Sequence, residues 1–229
     1  MTRPQTHEKS SATTARGTAT RARIIEAASR LVAENGVAGT RLDDIMTESD
    51  TSKSQIYHYF TDREALMCAV VEAQSQGVLK FQKSCLSQVG SLADLRAWRD
   101  KIVEINRLKR GVGGCPIGSL ASELADRSEP ARDALVRSFA QWESHLVSAL
   151  ERMQREGSLS SAADIPQLAT GILTALQGGL LMAQTIRATR PLEIALDMAL
   201  DHVSRQTTRD VGPGNAPKPN RSRRRNPEA

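Results

Sequence analysis

Aromatic side chains are scarce in this chain, with two Trp, two Tyr and three Phe among 229 residues. A core must therefore be built mainly from Leu, Ile, Val, Ala and Met. Cysteine is scarce too. Three residues, Cys68, Cys85 and Cys115, are an odd number without metal-type spacing. That argues against a disulfide framework or a zinc site and predicts free thiols in a reducing cytoplasm. No apolar run opens the chain, so no signal peptide is expected. The most apolar stretch, 171–186, is interrupted by Gln177 and Gln184. It reads as shorter than the ~20 apolar residues a membrane helix needs, and no membrane partner is expected. Histidines are dispersed at His7, His58, His145 and His202. There is no His-x-x-x-His, Cys-x-x-Cys, phosphate loop or nucleophile elbow. The expectation is no catalytic residue, no metal and no cofactor. Runs of alternating polarity are also missing, so no sheet is predicted.

The formal net charge is +5, but it is unevenly placed. Residues 1–66 carry nine basic and nine acidic side chains, residues 67–205 sixteen and fifteen, and residues 206–229 six and two. The excess is in the tail, so net charge does not by itself argue for nucleic-acid binding. Local placement argues better: Arg16, Arg21 and Arg23 come early, and Arg41, Lys53 and Arg63 surround residues 40–66.

That segment, TRLDDIMTESDTSKSQIYHYFTDREAL, reads as two short helices, a tight turn and the start of a third helix. Thr40 with Asp43, Ser52 with Gln55, and Thr61 with Glu64 each have capping-box spacing. Three helix starts so close together leave room only for short helices, which is how a recognition helix is presented to the DNA major groove. The span 52–59 makes roughly 12 Å of helix, and the groove is about 12 Å wide. Ile56 and Phe60 share an inward face. Lys53, Ser54, Gln55, Tyr57, His58 and Tyr59 form a surface rich in hydrogen-bonding groups. Gln55 is a candidate base reader, since an amide bonds adenine bidentately. Thr40, Arg41 and Arg63 complete the expected contact set.

The run from Ser52 to Phe60, followed by Arg63-Glu64-Ala65-Leu66, resembles the recognition unit of the TetR/AcrR family of transcriptional regulators. The upstream helix ending at Asn35-Gly36 and the helix carrying Leu42 and Ile45 fit the same pattern. Two departures stand out. The family's Ala-Gly-Val-Ser turn is replaced by Ser49-Asp50-Thr51-Ser52, so Asp50 occupies a glycine position expected to be left-handed, a region Asp tolerates. Arg63 stands where lysine is usual, which keeps a cation for phosphate contact. The resemblance implies an all-α protein of about nine helices. An N-terminal helix-turn-helix three-helix domain would be joined to a C-terminal helical domain for ligand binding and dimerisation. It further implies a cytoplasmic homodimer, a repressor by family likeness, that is released from a palindromic double-stranded DNA operator by a small-molecule effector.

The expected organisation is a disordered basic arm over 1–17, the DNA-binding domain over 18–66, the larger domain over 67–206 and a disordered basic tail over 207–229. Helix 1 should run from about Thr20 to Asn35, and a long helix from Asp62 to Gln88. Further helices are expected from Ser91 to Arg110, from Pro116 to Asp126, over 129–156, from Asp164 to Ala188, and from Pro191 to Gln206. Residues 111–137 resemble the sensor domain of one branch of these regulators, marked by Gly-Cys-Pro, by Glu-Leu-Ala-Asp and by the following Ser-x-Pro.

Within the larger domain, Trp98, Ile102, Phe139, Trp142 and Leu146 recur at helical spacing and, with Gln177, are candidates to line an apolar effector pocket. With Pro116 in the first helical position, Cys115 is placed at the N-cap, where free N–H groups favour a thiolate. An alternative reading therefore makes the protein a thiol-reactive electrophile or redox sensor acting through Cys115. Another makes it a helical interaction protein that does not bind DNA, supported by Asp50 and the uncharged balance of residues 1–66. Gly171, Ala175, Gly178 and Gly179 form a small-residue stripe that lets another helix approach closely. The family resemblance implies that the last two long helices of each subunit form a four-helix dimer interface, to which this stripe and Met182 would belong.

Overall fold

The computed structural model describes residues 15–207, and the expectations for residues 1–14 and 208–229 lie outside them. Nine helices occur among the described residues: α1 (Ala15–Gly39), α2 (Leu42–Ser49), α3 (Lys53–Tyr59), α4 (Arg63–Leu86), α5 (Leu92–Leu108), α6 (Pro116–Leu124), α7 (Glu129–Arg155), α8 (Ile165–Ile186) and α9 (Arg190–Ser204). The all-α expectation holds, with no strand among the described residues beyond a single bridge between Leu159 and Thr207. That bridge docks Thr207, which the sequence reading assigned to the tail. Helix 1 begins earlier than expected, so residues 15–17 belong to α1.

Local chemistry explains most boundaries. Ser91 and Asp94 form the expected capping box of α5. Ser128 caps α7 and Asp164 caps α8, each accepting from the N–H three residues on. Two of the three expected N-caps near the recognition unit shift by one residue, and the one at α4 is a single cap contact, not a reciprocal box. The N-cap of α2 is Arg41, whose N–H donates to Asp44 at 3.3 Å. The N-cap of α4 is Asp62, accepting from Ala65 N–H at 2.7 Å. Asp outcompetes Thr for this place because its carboxylate also meets the positive end of the helix.

Helices α1–α3 and the start of α4 contribute Ile24, Ala28, Ile45, Ile56, Phe60 and Leu66 to a hydrophobic core that continues into the larger domain. The larger domain pairs α4 with α7 and α8 with α9, with α7 also on α8 and α5 on α9. Helix α8 is long and apolar enough to cross a membrane by length and composition, contrary to the sequence reading. In this fold its buried face, including Leu168, Ile172, Leu176 and Ala183, belongs to the common core. Gly179 lets α9 approach closely, since a Cβ there would stand 2.9 Å from Leu192 Cα.

Candidate nucleic-acid interface and ligand cavity

The turn between α2 and α3 depends on Asp50, whose backbone is left-handed at φ 49 and ψ 54. Its N–H closes the end of α2 on Met46 and Thr47 carbonyls. Ser49 and Thr51 hydroxyls, both buried, hydrogen-bond one another at 2.7 Å and brace the turn. Ser52 then starts α3 with a reciprocal box: its Oγ accepts from Gln55 N–H at 3.2 Å, and its own N–H donates to Gln55 Oε1 at 2.8 Å. Ile56 and Phe60 anchor α3 in the core, while Lys53, Ser54, Gln55, Tyr57 and His58 are exposed. Tyr57 is 46% exposed, a large aromatic ring left on the free face of α3. Arg41 is also exposed.

Four of the expected contact residues have other commitments. Thr40 is 2% exposed and its hydroxyl donates to Gly36 C=O at 2.8 Å, so burial removes it from the free surface. Arg63 Nη2 donates to Val37 and Thr40 carbonyls at 2.7 and 3.0 Å. This makes Arg63 a clamp between α4 and the end of α1, with only its remaining N–H groups left for phosphate. Tyr59 is half-buried and meets His58 edge-on at 4.9 Å. Gln55 Oε1 is engaged by the cap, which leaves Nε2 as its free donor. Arg21 lies over the Phe60 ring at 5.1 Å, tying α1 to the end of α3.

Two cavities meet at Cys115. The smaller, about 310 Å³, lies between α4, α5, α7 and α8 and includes Phe81, Ile102, Asn106, Trp142 and Leu180 in its walls. The larger, about 670 Å³, involves Gly118, Phe139, Gln177, Leu181 and Arg187. Of the expected pocket residues, Ile102, Cys115, Phe139, Trp142 and Gln177 stand at these cavities. Leu146 is fully buried in the core. Trp98 is core as well, with its indole N–H donating to Gln82 Oε1 at 2.9 Å. Asn106 was missed, although its spacing marks it: it continues the apolar register 98–102–106 of α5 with a polar side chain.

Cys115 is the N-cap of α6, with Sγ accepting from Gly118 N–H at 3.5 Å. The thiolate expectation fails here. Burial pushes the Cys115 thiol up, and the Gly118, Gln177 and Ile117 groups that favour the anion do not overcome it. Desolvation outweighs the helix end because the sulfur is almost closed off from water.

The other end of α6 carries a contact that no local signal announced. Gly36, at φ 73, breaks α1 and leaves the next N–H groups without helical partners. Glu123 Oε2 accepts from Val37 N–H at 2.8 Å and Ala38 N–H at 3.4 Å. Ser128 also hydrogen-bonds Glu64 at the start of α4. One helix of nine residues thus reaches from the cavities to the DNA-reading domain.

Comparison with known proteins agrees with this architecture. Residues 24–70 match the family described as bacterial regulatory proteins, tetR family. Residues 91–199 match the tetracyclin repressor-like C-terminal domain. The chain belongs to the TetR family. It is a DNA-binding transcriptional regulator and not an enzyme. It is similar to an HTH-type transcriptional regulator of Lactococcus lactis, at 28% identity over 184 residues, covering 78% of this chain and 90% of the relative. It is also similar to the HTH-type transcriptional regulator LmrA of Bacillus subtilis, at 26% over 174 residues, covering 75% and 90%. The HTH-type transcriptional repressor NemR of Escherichia coli is 25% identical over 179 residues, covering 77% and 90%. The structure of reduced NemR superposes with a TM-score of 0.69 at 23% identity, covering 82% of this chain and 98% of that one. TetR-family regulators bind DNA operators and are typically dimers.

On the side of α8 away from the core, Gly171, Gly178 and Met182 are exposed and Ala175 is half-buried. Leu181 and Ile186 on α8, and Ile194 and Met198 on α9, are also exposed. Gly179 does not belong to this face. It is buried against Leu192 of the same chain, so its small size serves packing within the subunit.

Proposed function

We propose that the protein is a repressor that binds a palindromic operator as a homodimer and is released when a small molecule fills the cavities at Cys115. The observation that carries this reading is α6, which starts in the cavity walls and ends with Glu123 holding the break in α1. A ligand that displaces α6 would loosen that hold and alter how α3 is presented. A coupling of about 1–3 kcal/mol, or 5–150-fold in operator affinity, is enough for such a switch. Repression is carried over from the similarity to the transcriptional repressor NemR. The exposed apolar face of α8 and α9 is the dimer surface in this reading, and a two-fold protein reads a two-fold site.

On DNA, Lys53, Tyr57, Arg41 and the free N–H groups of Arg63 and Arg21 face phosphate. Ser54, Gln55 and His58 face bases, with Tyr59 in support. The test is a gel shift against DNA flanking the gene, repeated from low to moderate salt. Affinity that falls steeply with salt supports phosphate contacts, and a flat response refutes them. Gln55→Glu preserves the cap acceptor while removing the Nε2 donor. It should change the selected consensus at one base pair, by about 1–3 kcal/mol of discrimination. An unchanged consensus removes Gln55 as a reader. A thiol sensor at Cys115 is the weaker reading, because the buried thiol is held protonated.

A further inference from the structure

Polar atoms in the cavity walls show what the effector must offer. Trp142 Nε1 and Asn106 Oδ1 have no protein hydrogen-bond partner. Trp142 and Asn106 are only 2% and 5% exposed, and both belong to the smaller cavity. Trp98 supplies the contrast: its indole N–H is paired with Gln82, itself in the wall of the same cavity. Native proteins pair nearly all buried polar groups, so an unpaired one in a cavity wall calls for a partner from outside the chain, a ligand or a water.

The remaining wall defines charge and body. Val78, Phe81, Ile102, Ile105 and Leu180 make the smaller cavity mainly apolar, and neither cavity has an aspartate or glutamate in its wall. A cation entering would lose its hydration with no carboxylate to replace it. The charged wall residues are Lys109 and Arg187, both exposed, so an anion would meet them only through well-screened water. A carboxylate would also lack the donor that the Asn106 carbonyl requires. A carboxamide side chain offers a donor and an acceptor, and another amide answers both in either orientation.

We infer that the effector is an uncharged molecule with an apolar ring body and an amide-like group, accepting from Trp142 Nε1 and pairing with the Asn106 carboxamide. This rests on the reading of the cavity as the effector site.

The test uses the full-length protein and four probes on one skeleton: 2-naphthamide, 2-naphthoate, 2-naphthylmethylammonium and 2-methylnaphthalene. Binding is measured by calorimetry and operator release by gel shift. Naphthamide is expected to bind about tenfold or more tighter than each of the others, as two added hydrogen bonds would give. Trp142→Phe and Asn106→Leu should each erode the advantage of naphthamide over 2-methylnaphthalene. Should one of these variants fail to fold, shown by circular dichroism, the other still decides. Equal affinity for naphthamide and 2-methylnaphthalene, or tighter binding of either ion, overturns the inferred class and leaves the cavity reading standing. No binding by any probe also overturns the class. Probe binding that survives Ile105→Trp, a bulky residue in the wall of the smaller cavity, overturns that cavity as the effector site.

Discussion

Helices α3 and α6 are both short, of seven and nine residues, and both start at a side-chain N-cap. They are held in opposite ways. In α3 only Ile56 is buried, and a reciprocal Ser52–Gln55 box satisfies both partners' N–H groups. In α6 Ile117, Leu120 and Leu124 are buried, and the cap is a thiol with a long contact to Gly118. A helix that must offer one face to a partner cannot bury that face, so its stability comes from its own ends. A helix between two domains can be held by its neighbours, and whatever moves those neighbours moves it.

Four experiments would break or sharpen this contrast. The largest effect is expected from Ile117→Ala in α6, which opens a void in the core and should cost about 2–5 kcal/mol. Differential scanning calorimetry reads the loss. A cost near zero would mean that α6 is not held by its packing.

Glu123→Ala leaves the Val37 and Ala38 N–H groups unpaired in a half-buried site, a cost of about 1–3 kcal/mol. Hydrogen exchange should accelerate at those two amides and much less in α8. Glu123→Gln keeps an acceptor and should recover part of the protection. Unchanged exchange in Glu123→Ala would disconnect α6 from α1 and remove the proposed route of signalling.

Ser52→Ala should cost about 1 kcal/mol, the usual worth of a hydroxyl N-cap. Cys115→Ser should change stability less, since the weak thiol cap contributes little beside the packing of α6. The comparison is made by urea denaturation of both variants. If Cys115→Ser proved the more damaging, the division between a self-held and a neighbour-held helix would be wrong.

The smallest effect concerns pH. Burial raises the thiol of Cys115, and burial with Glu64 and Glu72 raises that of Cys68, above the ordinary value of 9.0. The unfolded chain then releases these protons at lower pH than the folded one. Their contribution is fully present below pH 9.0 and is lost as pH rises from there through the folded values. Melting temperatures measured on the alkaline side should fall less steeply in a Cys68→Ser/Cys115→Ser double variant. Parallel slopes would show that the thiols are not shielded, and would restore Cys115 as a reactive candidate.

What the sequence determined by itself was whatever depends on neighbours along the chain. Helical spacing of Leu, Ile and Val set the all-α class, and Ser52, Ser91 and Asp164 marked helix starts through contacts three residues away. Asp50 could be placed in a left-handed turn because its segment resembles the family turn with glycine at that position, and Asp tolerates that backbone. Tertiary structure decided everything that joins distant segments. Thr40 and Arg63 look like DNA contacts in sequence, yet the fold spends their polar groups on the end of α1. Gly179 looks like part of a dimer stripe, and only the packing of α9 shows that it serves the subunit interior. Glu123 reaches a partner 86 residues away, a separation at which no periodicity carries information. Cys115 was correctly placed at a helix start, but its protonation was decided by burial, which depends on every element around it. Backbone capping and apolar periodicity act within about one helical turn. Desolvation and side-chain pairing depend on spatial neighbours, and those exist only once the chain has folded.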